Sequence, residues 1–269
     1  MERLDIWGRQ FAPASTWNEL TRAQLADVVR VLYGPAEFWP TRLRLLSVIT
    51  GAEIELLIEL PEVQVKGLYG LTDFVFSDEH HLTRQLLPEL HQPAKTTPRK
   101  DRAFTGPGDA LSGVRFGEFM FADTYFCQYA LRKSPEALDH FLAALYRPAR
   151  AGVGPGQPDW NGDARQPFNE HNVAHYAHRL RHVADTDKLS IMLWYRGCRA
   201  QLQADYPDVF DAADNTTAAQ EKGDWGRVLR QLSGGAFGPL EQTAGQHLRT
   251  ILAEMNDRAR EARKHQTAR

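Results

Sequence analysis

Hydrophobic positions along the chain recur mainly at helical spacing. Leu25, Val28, Val29 and Leu32 form one stripe, behind a Thr21–Gln24 pair of capping-box form. Gly34-Pro35 then stops the run, which predicts a helix from about Asn18 or Thr21 to Tyr33. Leu43, Leu46 and Ile49 predict a second helix over about 36–50, ended by Gly51. Residues 53–65 fit two periods. Ile54, Leu56, Ile58 and Leu60 alternate with glutamates as in a strand, whereas Ile54, Leu57 and Ile58 fit a helical turn. The helical neighbours favour a helix. Val65 to Phe76 is apolar with two glycines and fits either a close-packed helix or a strand–turn unit.

The period then changes. Leu82–Leu87 reads as a short strand and Arg102–Thr105 as its returning partner, with a polar, proline-containing loop between them. Residues 1–15 read as an arm or loop that Leu4, Ile6, Trp7 and Phe11 dock onto the body, and Pro13 breaks any helix there.

The densest aromatic stretch is Val114 to Arg150. Phe116, Phe119, Met120, Asp123, Phe126, Cys127 and Ala130 share one face of a helix predicted from about Phe116 to Arg132. Ser134 is a good N-cap and Pro135 suits the first helical position. Leu138, Phe141, Leu142 and Leu145 stripe the following helix, which Pro148 ends. So short a link makes the two an antiparallel αα-hairpin.

Residues 149–167 hold four glycines and three prolines, a flexible loop or a hinge between lobes. Helices are predicted from about Asn169 to Asp185 and from Asp187 to about Tyr206. In the second, Leu189, Met192, Leu193, Arg196 and Ala200 share a face, and Pro207 stops it. Asp211–Gly223 reads as a polar link, Trp225–Leu232 as a short helix and Ser233–Gly238 as a tight turn. Pro239 opens a last helix that runs through Met255 into a charged tail. The fold expected is mainly α, one two-lobed domain of antiparallel helix pairs with a small β-hairpin near 82–105. Its lobes are about 16–148 and 168–256, joined by loop 149–167, with a basic tail at 257–269.

Composition adds bounds. A chain of 269 residues buries roughly 70–75% of its unfolded surface, so its core needs no staples. A net charge of −2 gives no global pull toward nucleic acid or anionic membrane. The N-terminus is too polar for a signal peptide, and no run reaches the ~18 apolar residues of a spanning helix. A cytoplasmic setting and no membrane partner are the expectation. Cys127 and Cys198 form no C-x-x-C pair, so a zinc ribbon or redox motif is excluded.

His171, His175, His178 and His182 step by four, three and four along one helical face. Each outer pair has the i, i+4 geometry of two metal ligands, and these four residues are the candidate metal site. The ends of the row lie ~16 Å apart, so at most one adjacent pair could serve one ion. A solvated polar face that happens to use histidine is the competing reading. Glu118 and Asp123 are separated by about 140° around their helix, so they are no acid–base pair unless tertiary structure supplies partners. Asp123, beside the aromatic face, reads as a buried hydrogen-bonding carboxylate or a site of perturbed pKa. Neither Gly106-Pro107-Gly108-Asp109 nor Gly152-Val153-Gly154-Pro155-Gly156 carries Gly-Lys-Ser/Thr, there is no G-x-S-x-G, and paired Glu-x-x-His motifs are missing. No cofactor is expected. Arg258, Arg260, Arg263, Lys264 and Arg269 give a basic tail that could touch nucleic acid, though such helix ends more often complement the helix dipole.

The segments F-G-E-F-M-F-A-D-T-Y-F (116–126), L-D-H-F-L-A-A-L-Y-R-P (138–148), L-W-Y-R-G-C-R (193–199) and G-G-A-F-G-P-L-E (234–241) together resemble uncharacterised proteins of prophage-like and phage tail gene modules in Bacteroidota. The resemblance spans about residues 20–255 and is carried by structural rather than catalytic motifs. It supplies no catalytic residue, and neither the histidine row nor the 149–167 loop is part of it. It implies a non-enzymatic role with protein partners in tail or particle assembly, as a chaperone or minor structural component. Phe104, Trp160 and Phe168, placed in loops, are the candidate interaction residues. The alternatives are a metal-binding protein or enzyme using the His171–His182 face, and a nucleic-acid-associated protein using the tail.

Overall fold

The computed structural model describes residues 3–35, 38–92, 103–158, 160–214, 225–235 and 237–267. Among them the chain forms twelve α-helices and two antiparallel strand pairs, the mainly α fold that the hydrophobic periods predict, with a second hairpin in the N-terminal arm beside the one expected near 82–105. The strands are β1 (Leu4–Ile6), β2 (Arg9–Phe11), β3 (Glu89–His91) and β4 (Ala103–Thr105). The helices begin with α1 (Arg22–Tyr33), α2 (Thr41–Thr50), α3 (Ile54–Ile58) and α4 (Glu62–Leu68). Then come α5 (Phe116–Arg132), α6 (Pro135–Leu145), α7 (Val173–Leu180) and α8 (Asp185–Asp205). The last are α9 (Pro207–Asp214), α10 (Trp225–Leu232), α11 (Leu240–Ala244) and α12 (Leu248–Thr267). Two compact units result, Met1–Leu86 with Asp185–Cys198, and Leu87–Ala184 with Arg199–Arg269. The 149–167 loop thus lies inside the second unit, and one unit boundary falls within α8.

In the first unit, the N-terminal arm is a hairpin with Leu4 opposite Phe11 and Ile6 opposite Arg9. Its two-residue turn, Trp7-Gly8, has both φ angles positive, at 53° and 76°. That turn twists with the strands, and glycine is the residue that adopts it without strain. Ile6 enters a core with Leu43, Leu46, Ala52, Leu57 and Val65. The Thr21–Gln24 capping box forms, with both reciprocal hydrogen bonds. The second helix starts at Thr41 rather than near 36, because Pro40 keeps the preceding Trp39 out of the helical region. Residues 54–58 and 62–68 are helical, with Leu57 and Val65 inward and a break at 59–61, and Tyr69–Val75 follow as a 3-10 stretch.

Leu82–Leu87 forms no strand. Its backbone is claimed by side chains instead: the Thr83 and Arg84 amides donate to Asn18 Oδ1, both at 2.9 Å, and the Thr83 carbonyl accepts from Trp194 Nε1 at 3.0 Å. Gly197 permits this approach, since a Cβ there would sit 2.3 Å from the Leu82 carbonyl oxygen. Ile191 to Tyr195 are all buried, so this part of α8 is enclosed on every side, whereas Arg196, expected on the inner face, is exposed.

In the second unit β4 pairs with Glu89–His91, not with Leu82–Leu87, and aligns Phe104 with Leu90. Beyond the pair, Thr105 and Arg147 exchange backbone hydrogen bonds at 2.8 and 3.0 Å. α5 and α6 pack as the expected hairpin. Lys133 takes a left-handed turn at φ 53°, Ser134 accepts from the Ala137 amide, and Pro135 opens α6. α6 also packs on α7, which ends at Leu180, short of the expected Asp185. The final helix is divided. Gln246, between α11 and α12, gives its carbonyl to the Phe116 amide at 2.9 Å, satisfying a free donor at the start of α5. Of the polar link expected over Asp211–Gly223, the first residues are helical as the end of α9, and those from 215 on lie outside the described residues. α9 packs on α12, where Asn256 Oδ1 accepts from the Asp208 amide at 3.0 Å. Arg263 and Arg260 of the basic tail pair with Asp208, at 2.6 and 3.4 Å. Among the described residues no helix is long and apolar enough to cross a membrane.

Candidate functional site

α5 divides into two dissimilar halves. From Phe116 to Asp123 all but Phe121 are buried, including two carboxylates. Glu118 is fully enclosed and faces two arginines. Arg147 lies 3.1 Å from its Oε1 and donates to Oε2 at 3.2 Å, while Arg165 Nη1 donates to Oε1. Arg147 also donates to the Ala144 and Gln166 carbonyls, and Arg165 to those of Leu145 and Gly113. Asp163 completes the set, accepting from Arg165 Nε at 2.9 Å and Nη2 at 3.0 Å. Two cations and two anions thus cancel, with their donors directed at carboxylates and carbonyls.

Burial alone would raise the Asp163 carboxyl. The hydrogen bonds and charge of Arg165, helped by Arg147, outweigh it and hold the group below the usual carboxylate range. Burial likewise opposes the Arg165 charge, but Glu118 and Asp163 overcome it and raise its pKa. The cluster fastens the 149–167 loop, whose ends pair through Arg150 and Ala164 and through Gln166 and Pro148, to the base of α5. Asp123 has separate partners. Its Oδ1 accepts from Arg199 Nε at 2.8 Å and its Oδ2 from Trp225 Nε1 at 2.9 Å. The Trp225 ring meets Phe119 and Phe116 edge-on, at 5.2 and 6.0 Å between centroids. Both carboxylates are engaged in joining elements, and neither faces the other as an acid–base couple.

The second half of α5 is different. From Thr124 to Arg132 no residue is buried, although Tyr125, Phe126, Cys127, Tyr129 and Leu131 lie there. Leu131 is 70% exposed. Tyr125 stacks on His140 at 5.1 Å, Phe126 meets Phe141 at 6.0 Å, and the Lys133 ammonium lies 5.4 Å from the Tyr129 ring. Beside them a cleft of about 270 Å³ is lined by Tyr125, Gln128, Arg132, Ser134, Glu136, Ala137 and His140. His140 Nδ1 sits 2.8 Å from the Glu136 carbonyl, which fixes Nδ1 as the protonated nitrogen. Burial pushes the Tyr125 hydroxyl up, and burial followed by the Asp123 charge pushes the Cys127 thiol up to about 11 against the opposing effect of Arg199. The thiol is therefore no activated nucleophile.

The four histidines lie elsewhere in the second unit. His171 belongs to a 3-10 turn, His175 and His178 to α7, and His182 to the turn after it, so the row is not one continuous helical face. All four are exposed, and His182 Nε2 accepts from Arg181. Among the described residues no three of His, Cys, Asp and Glu are grouped so as to hold a metal ion. Of the aromatic candidates, Phe104 is corrected: strand pairing turns it inward, where it is fully buried between the Tyr176 ring at 5.7 Å and the Arg179 guanidinium at 4.8 Å. Phe168 is half-buried against Phe121 and Arg147, and Trp160 is half-buried in the fastened loop. The sequence reading missed Arg147, Asp163, Arg165, Arg199 and Trp225 as partners of the α5 carboxylates. Arginines bracketing a glycine- and proline-rich stretch were the available signal. No family model matches the chain, no curated protein matches it in sequence, and no solved structure matches it.

Proposed function

We propose that this chain is a non-enzymatic interaction protein, acting in the cytoplasm as an assembly chaperone or minor structural component of a phage-tail-like particle. Its protein partner binds the outward half of α5. The observation that carries this reading is the run Thr124–Arg132, in which three aromatic rings, a leucine and a cysteine are left at least partly in water. Large apolar side chains on a surface are ordinary when scattered, but grouped on one helical segment they mark a contact site. Tyrosine beside an arginine, as at Tyr129 and Arg132, is the composition of interface anchors. The adjoining cleft gives a partner side chain somewhere to enter. The carboxylates that chemistry would need are committed to arginine and indole partners, which favours a scaffold over an enzyme. The particle-assembly context rests on the four family-like segments, two of which form the α5–α6 hairpin.

Co-expression of the full chain with the products of the genes flanking its own, followed by affinity purification and size-exclusion chromatography, tests the reading. A stable complex is expected, and Tyr129→Ser with Leu131→Ser should weaken it at least about tenfold. A chain that stays monomeric and retains none of these products overturns the proposal.

A further inference from the structure

A second surface, in the first unit and of different chemistry, lies on α3 and α4. Between Ala52 and Val63 the chain carries Glu53, Glu55, Glu59 and Glu62 and no basic residue. Leu57 points into the core, fully buried, and Val65 beside it is 9% exposed. The opposite side is solvent-facing: Glu53, Glu55, Ile58, Glu59, Glu62 and Val63 are all exposed. Ile58 is 46% and Val63 81% exposed, so two β-branched apolar side chains stand among the carboxylates.

The charges are arranged unfavourably for the isolated protein. Glu55 lies in α3 and Glu59 at its C-cap, one helical turn apart, where like charges repel. Glu59 also sits at the helix end whose carbonyls disfavour an anion. Glu62 is relieved by Lys66 at 2.6 Å, but Glu53, Glu55 and Glu59 have no ion pair among the described residues. A helix of only five residues gains little from its own hydrogen bonds and depends on packing, so nothing local compensates. We infer that the face formed by Glu53, Glu55, Ile58, Glu59 and Val63 is a docking surface for a protein segment that carries lysine or arginine beside large apolar side chains. Cations of the partner neutralise Glu55 and Glu59, and its apolar side chains cover Ile58 and Val63. Charge complementarity selects this occupant over an acidic or neutral one, and it steers the encounter. The surface is independent of the outward half of α5, so this binding stands or falls without the function proposed above.

The probe is a synthetic 18-residue amphipathic helix of leucine and lysine, labelled with a fluorophore and titrated with the full-length chain by anisotropy. A leucine–glutamate peptide of the same pattern is the counter-probe. Three variants change only exposed residues: Glu53→Gln/Glu55→Gln/Glu59→Gln, Ile58→Ser/Val63→Ser, and the equally charged control Asp78→Asn/Glu79→Gln/Glu170→Gln. The leucine–lysine peptide should bind the unaltered chain and the control alike, and the leucine–glutamate peptide should not bind. The glutamine variant should weaken binding at least about tenfold and the serine variant at least about fivefold. Raising salt from about 50 to 500 mM should abolish the advantage of the glutamates. Equal loss in the control, no loss in the serine variant, or no binding to the unaltered chain overturns the inference. Self-association of the chain that these same substitutions abolish also overturns it, in favour of a second copy as the occupant. Loss of leucine–lysine peptide binding in the Tyr129/Leu131 variant, with full binding kept by the glutamine and serine variants, would place the peptide on the α5 surface and overturn this one.

Discussion

The two halves of α5 invert the usual rule of burial. Its first half places a glutamate and an aspartate in the interior, and its second half leaves tyrosines, a phenylalanine and a leucine partly in water. The reason lies in what each half touches. Around the first half, arginines from the β4-paired segment, the 149–167 loop and the end of α8 converge with the Trp225 indole, so the carboxylates exchange hydration for directed donors. Around the second half, α6 supplies one wall, and among the described residues no element buries the remaining faces. A helix can therefore be anchored by polar groups at one end and be sticky at the other. The anchored end makes the exposed end rigid, and a rigid contact surface loses less entropy on binding.

The largest effect that would break this comparison is at Glu118. Glu118→Ala leaves Arg147 and Arg165 buried with Asp163 alone, an uncompensated positive charge. Breaking a buried pair from one side costs about 3–5 kcal/mol. Urea denaturation followed by circular dichroism should show a loss of that size. A loss below about 1 kcal/mol would mean that the ionic half is not the anchor.

Asp123→Ala comes next, at about 1–3 kcal/mol, because it strands the Trp225 indole N–H in the interior. Arg199 is partly exposed and recovers some hydration. The expected companion signal is a change in tryptophan fluorescence, and an unchanged spectrum would show that the indole does not depend on this carboxylate.

How much of this was legible in the sequence follows from the range of each interaction. The capping box at Thr21, the Ser134-Pro135 start of α6 and the stripes of α1 and α6 depend on residues within one or two turns, and they were read correctly, whereas the α5 stripe is buried only as far as Asp123, with Phe126 and Cys127 half-buried and Ala130 exposed. The first hairpin was equally local, yet Trp7-Gly8 was passed over because tryptophan is an unusual residue at positive φ. Leu82–Leu87 looked like a strand because alternation cannot show that Asn18 and Trp194 would take its backbone groups. The partners of Glu118 lie 29 and 47 residues away, beyond any periodic signal. Phe104 was taken for a loop contact for the same reason, since its burial depends on Arg179 and Tyr176, far along the chain.

A smaller effect concerns pH. Because the folded Asp163 carboxyl titrates below its unfolded value of about 3.9, the folded state binds its proton later than the unfolded state does. Its contribution to stability is therefore complete above about pH 5 and is lost as pH falls through the folded pKa. Asp163→Asn lacks this contribution at every pH. The stability difference between the two proteins should thus be constant from about pH 7 to 5 and shrink below about pH 4. A difference that stays constant down to pH 3 would mean that Arg165 gains nothing from the ionised carboxylate.

The smallest effect is expected at the other end of the helix, and its smallness is the point. Leu131 is 70% exposed, so Leu131→Ser removes little buried contact, and the stability change should stay within about 0.5 kcal/mol. If the outward half of α5 merely completed a core, the same change would cost about 2 kcal/mol or more, as truncations of buried leucine do. The two readings differ by a factor that one denaturation curve resolves. A near-zero cost, joined to loss of the partner complex, separates an anchoring half from a binding half within seventeen residues of one helix.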